Sequence, residues 1–338
     1  MHQSVKSFMK KRYLLAGATT GAIGSLIAWK FLTRASQINW EDFADKVHHA
    51  ENSHFVEIDG ATVHYQEFGD AVSPTLILIH GYSASTYVWE KAAPMLADKD
   101  FHVIAVDLLG FGYSEKPASF DYTIASQARL VERLMDRLGI GRATLVGSSY
   151  GGAVASSVAL DYAERVEKLV LVGAVINDEV KNQPILKIAA IPVVGELIVP
   201  FLIGSKAFLK FRMQGTIAPA NHHLITQERI EAVHRPLNAA DGHHSILRTA
   251  RNWDACRIEA DAHLISQPTL LIWGEEDNVI PKQNGEKLHQ EILNSRFIVL
   301  KNCGHVPQEE KPTRFVELVT EFCRDKKGRL FVDKSANL

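Results

Sequence analysis

The sequence predicts an α/β fold built on a doubly wound, mainly parallel sheet. Three observations carry that expectation. From about residue 54, short β-branched runs alternate with longer helical stretches. The later runs are continuously apolar, as strands covered by helices on both faces are. Eight such runs occur in a chain of 338 residues, which is longer than one small core requires and allows an eight-stranded sheet with an insertion.

The first 35 residues stand apart. Lys6, Lys10, Lys11 and Arg12 make a basic start, and Tyr13 to Trp29 follow without a charge. Those seventeen residues at the helical rise reach about 26 Å, just short of a hydrocarbon core. Counting to Leu32 makes twenty, with the Lys30 ammonium reaching the headgroups. A cleaved signal has a shorter apolar region, and the sole cleavage candidate is a poor one at Thr33-Arg34-Ala35. Residues 1–35 are therefore expected to be a single-pass N-terminal membrane anchor. The alternative is a signal segment cleaved from a secreted or periplasmic protein. Basic residues are denser before the run than after it, which places the N-terminus inside and the catalytic domain outside the cytoplasm.

The next elements follow in order. Phe55–Ile58 and Thr62–Phe68, split by Asp59-Gly60, read as a hairpin. Thr75–Ile79, His102–Val106, Ala143–Val146 and Lys168–Val172 read as strands, with helical patterns at Ile124–Leu138 and Tyr150–Ala163. Thr269–Trp273 and Arg296–Leu300 come much later. The gap from Val172 to Thr269 is far longer than a usual crossover. Residues 177–263 are expected to be a helical cap inserted over the sheet. Within them Ile188–Ile203 holds one charge, Glu196, and Pro192 and Pro200 are expected to break the stretch. The main domain is expected over residues 54–325 and a loose polar tail over 326–338.

Charge and cysteine content exclude several classes. The chain has 37 basic and 39 acidic residues, so no overall field draws in nucleic acid. Cys256, Cys303 and Cys323 are too few and too scattered for a disulfide framework or a metal knuckle. The phosphate-loop pattern is absent, and Gly110-Phe111-Gly112 lacks the third glycine of a dinucleotide fingerprint.

The strongest chemical signal is Gly147-Ser148-Ser149-Tyr150-Gly151, followed by Gly152. It joins a strand to a helix, the setting in which G-x-S-x-G forms a nucleophile elbow. A free serine hydroxyl is barely ionised at neutral pH and needs a base. His305, in Asn302-Cys303-Gly304-His305 just past the last strand, is the candidate. His289 sits in a helical pattern without a loop signature. His222-His223 and His243-His244 are sequence neighbours that point to different helix faces, which makes them poor metal ligands. The acid is expected after Thr269–Trp273. There Asp277 is chosen over Glu276 because it lies nearest the turn marked by Asn278 and Pro281, and its role would be to orient His305. Backbone N–H groups of Tyr82 and Tyr150 are the expected oxyanion donors, with His80 as a scaffold for the Gly81-Tyr82 loop.

Five segments together resemble the capped α/β-hydrolase superfamily in order and spacing, over residues 54 to 325. They are His80-Gly81, Asp107-Leu108-Leu109-Gly110-Phe111-Gly112-Tyr113-Ser114, the elbow, Trp273-Gly274 with Asp277, and Gly304-His305. The resemblance implies the α/β-hydrolase fold with a helical cap, and structural roles for Asp107 and Gly112. Haloalkane dehalogenases and epoxide hydrolases of this fold use an aspartate where this chain has Ser149, which removes those reactions. The Asn-Cys-Gly-His segment and the N-terminal run are similar to membrane-anchored monoacylglycerol lipases. Carbon–carbon bond hydrolases and carboxylesterases share much of the pattern. The expected activity is hydrolysis of a small lipophilic carboxylic ester, such as a monoglyceride, through an acyl-enzyme on Ser149, without a metal or organic cofactor. A carbon–carbon bond hydrolase using the same triad, and a ligand-binding homologue without catalysis, are the alternatives.

Overall fold

The computed structural model describes residues 35–325 together with Gly21, Gly24 and Ser25. Among the described residues the centre is one eight-stranded sheet. Its strands are β1 (Ser53–Ile58), β2 (Ala61–Phe68), β3 (Thr75–Ile79), β4 (His102–Val106), β5 (Ala143–Ser148), β6 (Val166–Val172), β7 (Thr269–Gly274) and β8 (Ser295–Leu300). In space they lie in the order β1-β2-β4-β3-β5-β6-β7-β8. β2 is antiparallel to β1 and β4, and the remaining neighbours are parallel. The chain therefore adopts the mostly parallel α/β architecture that the sequence predicts.

Local chemistry fixes these elements. Asp59 and Gly60 both take positive φ, at 50° and 79°, which is the two-residue turn whose twist matches a hairpin. Ile58 pairs with Ala61 across it. Continuous apolar strands still alternate by side. Ile77, Ile79, Leu145, Leu169 and Leu171 join the core on one face, and Leu76, Leu78, Val146, Val170 and Val172 join the core on the other. Period two in a run with no polar residue means burial on both faces. Helices α1 (Ala92–Ala97), α2 (Ile124–Arg137) and α3 (Tyr150–Asp161) belong to the first half of the chain. α2 begins where Thr123 accepts the Ser126 N–H through its hydroxyl, satisfying one orphan donor of the first turn.

Six helices lie between β6 and β7, in the segment expected to be the cap: α4 (Pro184–Ala190), α5 (Val194–Gly204), α6 (Lys206–Thr216), α7 (Gln227–Asn238), α8 (His243–Arg251) and α9 (Cys256–Asp261). After β7 come α10 (Lys282–Glu291), α11 (Pro307–Glu310) and α12 (Pro312–Arg324). Pro192 lies between α4 and α5, as expected, but Pro200 sits inside α5. Missing one N–H did not end that helix, because Val199 and Ile203 are buried and Glu196 is held by Arg251 at 2.6 and 2.8 Å. Tertiary packing outweighs the intrinsic preference here.

Among the described residues no helix is long and apolar enough to cross a membrane. That finding stands against the expected single-pass anchor, against the membrane as a partner, and against a catalytic domain held outside the cytoplasm by such an anchor. The segment concerned, residues 1–35, lies outside the described residues apart from Gly21, Gly24, Ser25 and Ala35. The weakness is visible in its composition: the uncharged run includes Gly17, Gly21, Gly24, Thr19, Thr20 and Ser25, and is short for a bilayer. The expected tail, 326–338, also lies outside the described residues.

A buried polar network braces the loop after β4. Asp107 is fully buried. Its carboxylate accepts from His64 Nδ1 at 2.7 Å, Tyr113 N at 2.8 Å and Thr86 N at 2.6 Å. Burial alone would raise its pKa, but the His64 hydrogen bond, the nearby His64 and His80 rings and the Tyr113 amide outweigh it and hold the carboxyl below its usual range. Gly112 is required there: with φ 52° its absent Cβ would lie 2.0 Å from the Asp107 carboxyl carbon. Lys116 closes the same loop, its Nζ donating to Gly112 O at 2.9 Å and Ser114 O at 3.0 Å.

Burial lowers the Lys116 ammonium to about 7, against the opposing charge of Asp107. An uncharged amine has two N–H groups, and two carbonyls meet them. The unfolded chain keeps this proton up to about pH 10.4, so above pH 7 it binds more protons than the folded chain. Stability is therefore expected to rise between about pH 7 and about pH 9.5. Urea unfolding of wild type and Lys116→Met across that window measures the contribution. The variant should lose this part of the slope, and parallel stability curves would refute the assignment.

Candidate active site

β5 ends at Ser148 and α3 starts at Tyr150, so Ser149 alone makes the turn. It does so at φ 55°, ψ −117°, a strained region for a residue with a side chain. The flanking glycines make this possible. A Cβ on Gly147 would lie 2.3 Å from Gly151 O, and one on Gly151 would lie 2.2 Å from Ile79 O. The backbone is pinned as well: Ser149 N donates to Val172 O at 2.9 Å, and Val175 N donates to Ser149 O at 3.0 Å. The hydroxyl is thus presented at the C-terminal edge of the sheet, beside a helix N-terminus.

The second group comes from the loops after β7 and β8. His305 Nδ1 lies 2.8 Å from Asp277 Oδ2, and both side chains are buried. Asp277 Oδ1 accepts from Val279 N and Ile280 N, each at 2.9 Å. An ionised carboxylate only accepts, so Nδ1 carries the imidazole proton and Nε2 keeps its lone pair. Glu276 is half-buried, and its N–H donates instead to Cys303 O. The end of β6 joins the two groups. Val172 receives the Ser149 N–H, and the next residue, Gly173, lies against the pair. At φ 49°, a Cβ on Gly173 would sit 3.1 Å from both Asp277 Oδ2 and His305 Nδ1.

The third part is the His80-Gly81-Tyr82 loop after β3. A Cβ on Gly81 would lie 3.1 Å from Ser149 Cβ and 3.6 Å from Ser149 Oγ, so the loop reaches the serine. His80 holds its shape. Leu108 N donates to His80 Nε2 at 3.1 Å, which leaves the proton on Nδ1, donated to Gly81 O at 2.7 Å. Burial keeps this imidazole below its usual pKa and therefore neutral. Tyr82 follows in the loop, and Tyr150 opens α3, where an N–H has no intrahelical acceptor. Their side chains join Phe111 and Trp253 in an aromatic cluster, with Tyr150 and Trp253 centroids 5.0 Å apart and Tyr82 and Trp253 5.6 Å apart. Tyr82 Oη also donates to Ile246 O of α8 at 2.8 Å, tying this loop to the cap.

The five residues singled out in the sequence, Ser149, Asp277, His305, Tyr82 and Tyr150, all follow the C-terminal ends of parallel strands, with His305 on Asp277 and the Gly81-Tyr82 loop reaching Ser149. His289 lies elsewhere, with Nδ1 2.8 Å from Ser295 Oγ. Cys303 is buried, and burial raises its thiol pKa, which leaves it no nucleophilic role. Sequence reasoning missed Glu310, Gly173 and Arg212. The buried Glu310 carboxylate accepts from Gly304 N at 2.9 Å, Ala218 N at 3.0 Å and Asn221 Nδ2 at 2.8 Å. His305 N itself donates to Thr216 O of the cap at 2.8 Å. The loop bearing His305 is therefore shaped by the cap and by Glu310 together. A glycine directly after a parallel strand is the signal that could have found Gly173. Glu310, in a polar run, carries none.

Comparison with known proteins agrees with this architecture. A family model described as the alpha/beta hydrolase fold matches residues 74–189 and 214–312. An uncharacterized hydrolase of Bacillus subtilis, YugF, is 31% identical over 79% of this chain and 96% of its own length. The 2-hydroxymuconate semialdehyde hydrolase of Pseudomonas putida is 32% identical over 73% of this chain and 85% of its own. Among solved structures, a bacterial membrane phospholipase A is 25% identical, with a TM-score of 0.67 over 93% of this chain and 98% of that one. With the match covering more than half of its residues, the chain belongs to the α/β-hydrolase fold family.

Proposed function

We propose that the protein is a serine esterase that cleaves lipophilic carboxylic esters, such as monoglycerides, through an acyl-enzyme. The observation that carries this reading is the strained Ser149 turn beside a His305–Asp277 pair whose Nε2 is free to take a proton. In the proposed reaction Ser149 Oγ attacks the ester carbonyl and its proton passes to His305 Nε2. Asp277 stabilises the imidazolium. The N–H groups of Tyr82 and Tyr150 receive the oxyanion, each such donor being worth roughly 100- to 1000-fold in rate. Collapse expels the alcohol, protonated by His305. Water then attacks the acyl-enzyme, gives its proton to the same nitrogen, and releases the acid as Ser149 regains its hydrogen.

Features of the cap support a lipophilic acyl group. Val199, Ile203, Leu209 and Met213 are buried beneath it, while Phe201 and Phe211 remain 81% and 69% exposed. Apolar surface of this kind on a small domain usually has a ligand or partner. The structural neighbour named a phospholipase A is compatible with this reading. A second reading rests on the relative named 2-hydroxymuconate semialdehyde hydrolase: the same residues would cleave a carbon–carbon bond in a vinylogous diketone.

Hydrolysis of p-nitrophenyl esters from acetate to palmitate separates the two. The wild type should favour medium or long chains, and Ser149→Ala should lose about a millionfold in kcat. A variant that still turns over would remove Ser149 from the mechanism. Labelling of the wild-type serine by a fluorophosphonate, without ester turnover and with cleavage of the diketone, would favour the second reading.

Gly173→Ala tests the pairing of His305 with Asp277. The added methyl meets both groups and is itself strained at positive φ. The kcat/KM for esters should fall about 10- to 100-fold, as expected for a displaced catalytic group, with the circular dichroism spectrum retained. Unchanged kinetics would mean that the pair does not serve Ser149.

A further inference from the structure

Two arginines of the cap, buried Arg229 and half-buried Arg251, are matched to carboxylates. Arg229 meets Glu309 at 2.6 Å, and Arg251 meets Glu196. Arg212, on α6, departs from this pattern. Its guanidinium contacts Ser83 Oγ, at 3.5 Å from Nη1 and 3.4 Å from Nη2. These are long contacts to a neutral hydroxyl, and among the described residues no carboxylate pairs with it. Burial lowers its pKa, and the opposing influence is the Tyr82 phenol rather than an acid. Arginine stays protonated in proteins, so it cannot relieve this by losing a proton. Arg212 is half-buried, and even a partly desolvated cation without a counter-charge is costly.

Its place in the fold says what could relieve it. Ser83 follows Tyr82, whose N–H is the candidate oxyanion donor. One turn further along α6, Thr216 donates from Oγ1 to Arg212 O at 2.9 Å, and its own carbonyl receives the His305 N–H. Arg212 therefore touches the Tyr82 loop with its guanidinium and lies one helical turn from the residue that holds the His305 amide. It also falls outside the family-wide pattern, because the family match lapses between residues 189 and 214. A planar guanidinium is the side chain suited to a carboxylate or phosphate through paired hydrogen bonds.

We infer that Arg212 recognises an anionic group on the substrate, so that the preferred ester carries a carboxylate or a phosphate close to its scissile bond. This rests on the ester-hydrolase reading of the same site. Two matched pairs of compounds distinguish a charge on the alcohol side of the ester from one on the acyl side. Monodecanoylglycerol against its 3-phosphate places a phosphate on the alcohol side. Methyl hexanoate against monomethyl adipate places a carboxylate on the acyl side.

In the wild type, kcat/KM should favour the charged member of one pair, and that pair identifies the source. Arg212→Met should lower the charged-to-neutral ratio by about 10- to 100-fold, and Arg212→Lys should restore part of it, since a point charge replaces a fork. Calorimetric titration of Ser149→Ala, with and without Arg212→Met, reads the same preference without turnover. It therefore decides the role of Arg212 even if none of the esters is hydrolysed. Tighter binding of a charged member that Arg212→Met removes supports the inference. No preference in either pair, or a preference that Arg212→Met leaves intact, overturns it.

Discussion

The constraint on which the site depends is the backbone of one residue. Ser149 must sit at positive φ between a strand and a helix, and this is sterically possible only where the residues two positions either side lack a Cβ. Gly151 is pressed against the end of β3, which fixes how closely α3 approaches the sheet. Gly152 continues that approach, since a Cβ there would lie 2.5 Å from Ala174 Cβ. The strain is held by hydrogen bonds to β6 and the loop after it rather than by the turn itself: Ser149 N to Val172 O and Val175 N to Ser149 O. β6 thus holds the nucleophile's backbone at Val172 and contacts the His305–Asp277 pair at Gly173. Parallel register makes such a coincidence possible, because all these strands end at the same edge.

Around that edge the buried polar groups are satisfied by many donors rather than by single partners. Asp107 accepts from a ring and two backbone amides. Glu310 accepts from Gly304, Ala218 and Asn221. The two networks work on opposite sides. Asp107 shapes the loop beside the oxyanion turn, and Glu310 shapes the loop of His305. Each carboxylate draws several loops to one point, which a hydrophobic contact could not do with the same directionality. Glu310 in addition ties the segment after α6 to the His305 loop. The base is therefore positioned partly by the cap, although the cap contributes no residue to the His305–Asp277 pair.

Most of the fold was legible in the sequence because both of its periodicities are local. β3 and β4 begin and end where their apolar runs do, and the hairpin turn was visible in Asp59-Gly60. β5 runs on to Ser148 rather than stopping at Val146, since strand geometry persists into the elbow before the glycine-permitted turn. The elbow itself was readable because its chemistry and its sterics fall within five residues. Asp277 could be chosen over Glu276 from the turn around it, and the structure gives the reason: its other oxygen caps the amides of Val279 and Ile280. The helical state of Pro200 was not readable, because burial of Val199 and Ile203 against the rest of the cap decides it. The positions of Gly173 and Glu310 beside His305 were equally hidden, since each depends on loops more than 80 residues apart in sequence meeting in space. The expectation of an N-terminal membrane span came from a local count of uncharged residues, which weighs glycine and threonine too kindly.

The contrast between satisfied and unsatisfied charge separates scaffold from function in this protein. Arg229 and Glu309 are both buried and face each other directly. The opposite charges meet at 2.6 Å, and the pair joins α7 to α11. Glu310, though it lacks a cationic partner, is supplied with N–H donors in compensation. Arg212 has neither arrangement: its neighbours are a hydroxyl and a phenol. Where Arg229 and Arg251 each face a carboxylate, an arginine with none beside the Tyr82 loop is a local rule broken at a place where broken rules belong to function. The same logic applies to the strained backbone of Ser149. The strained turn of Ser149 and the unmet charge of Arg212 both border the Tyr82 loop, which the Asp107 network supports from behind.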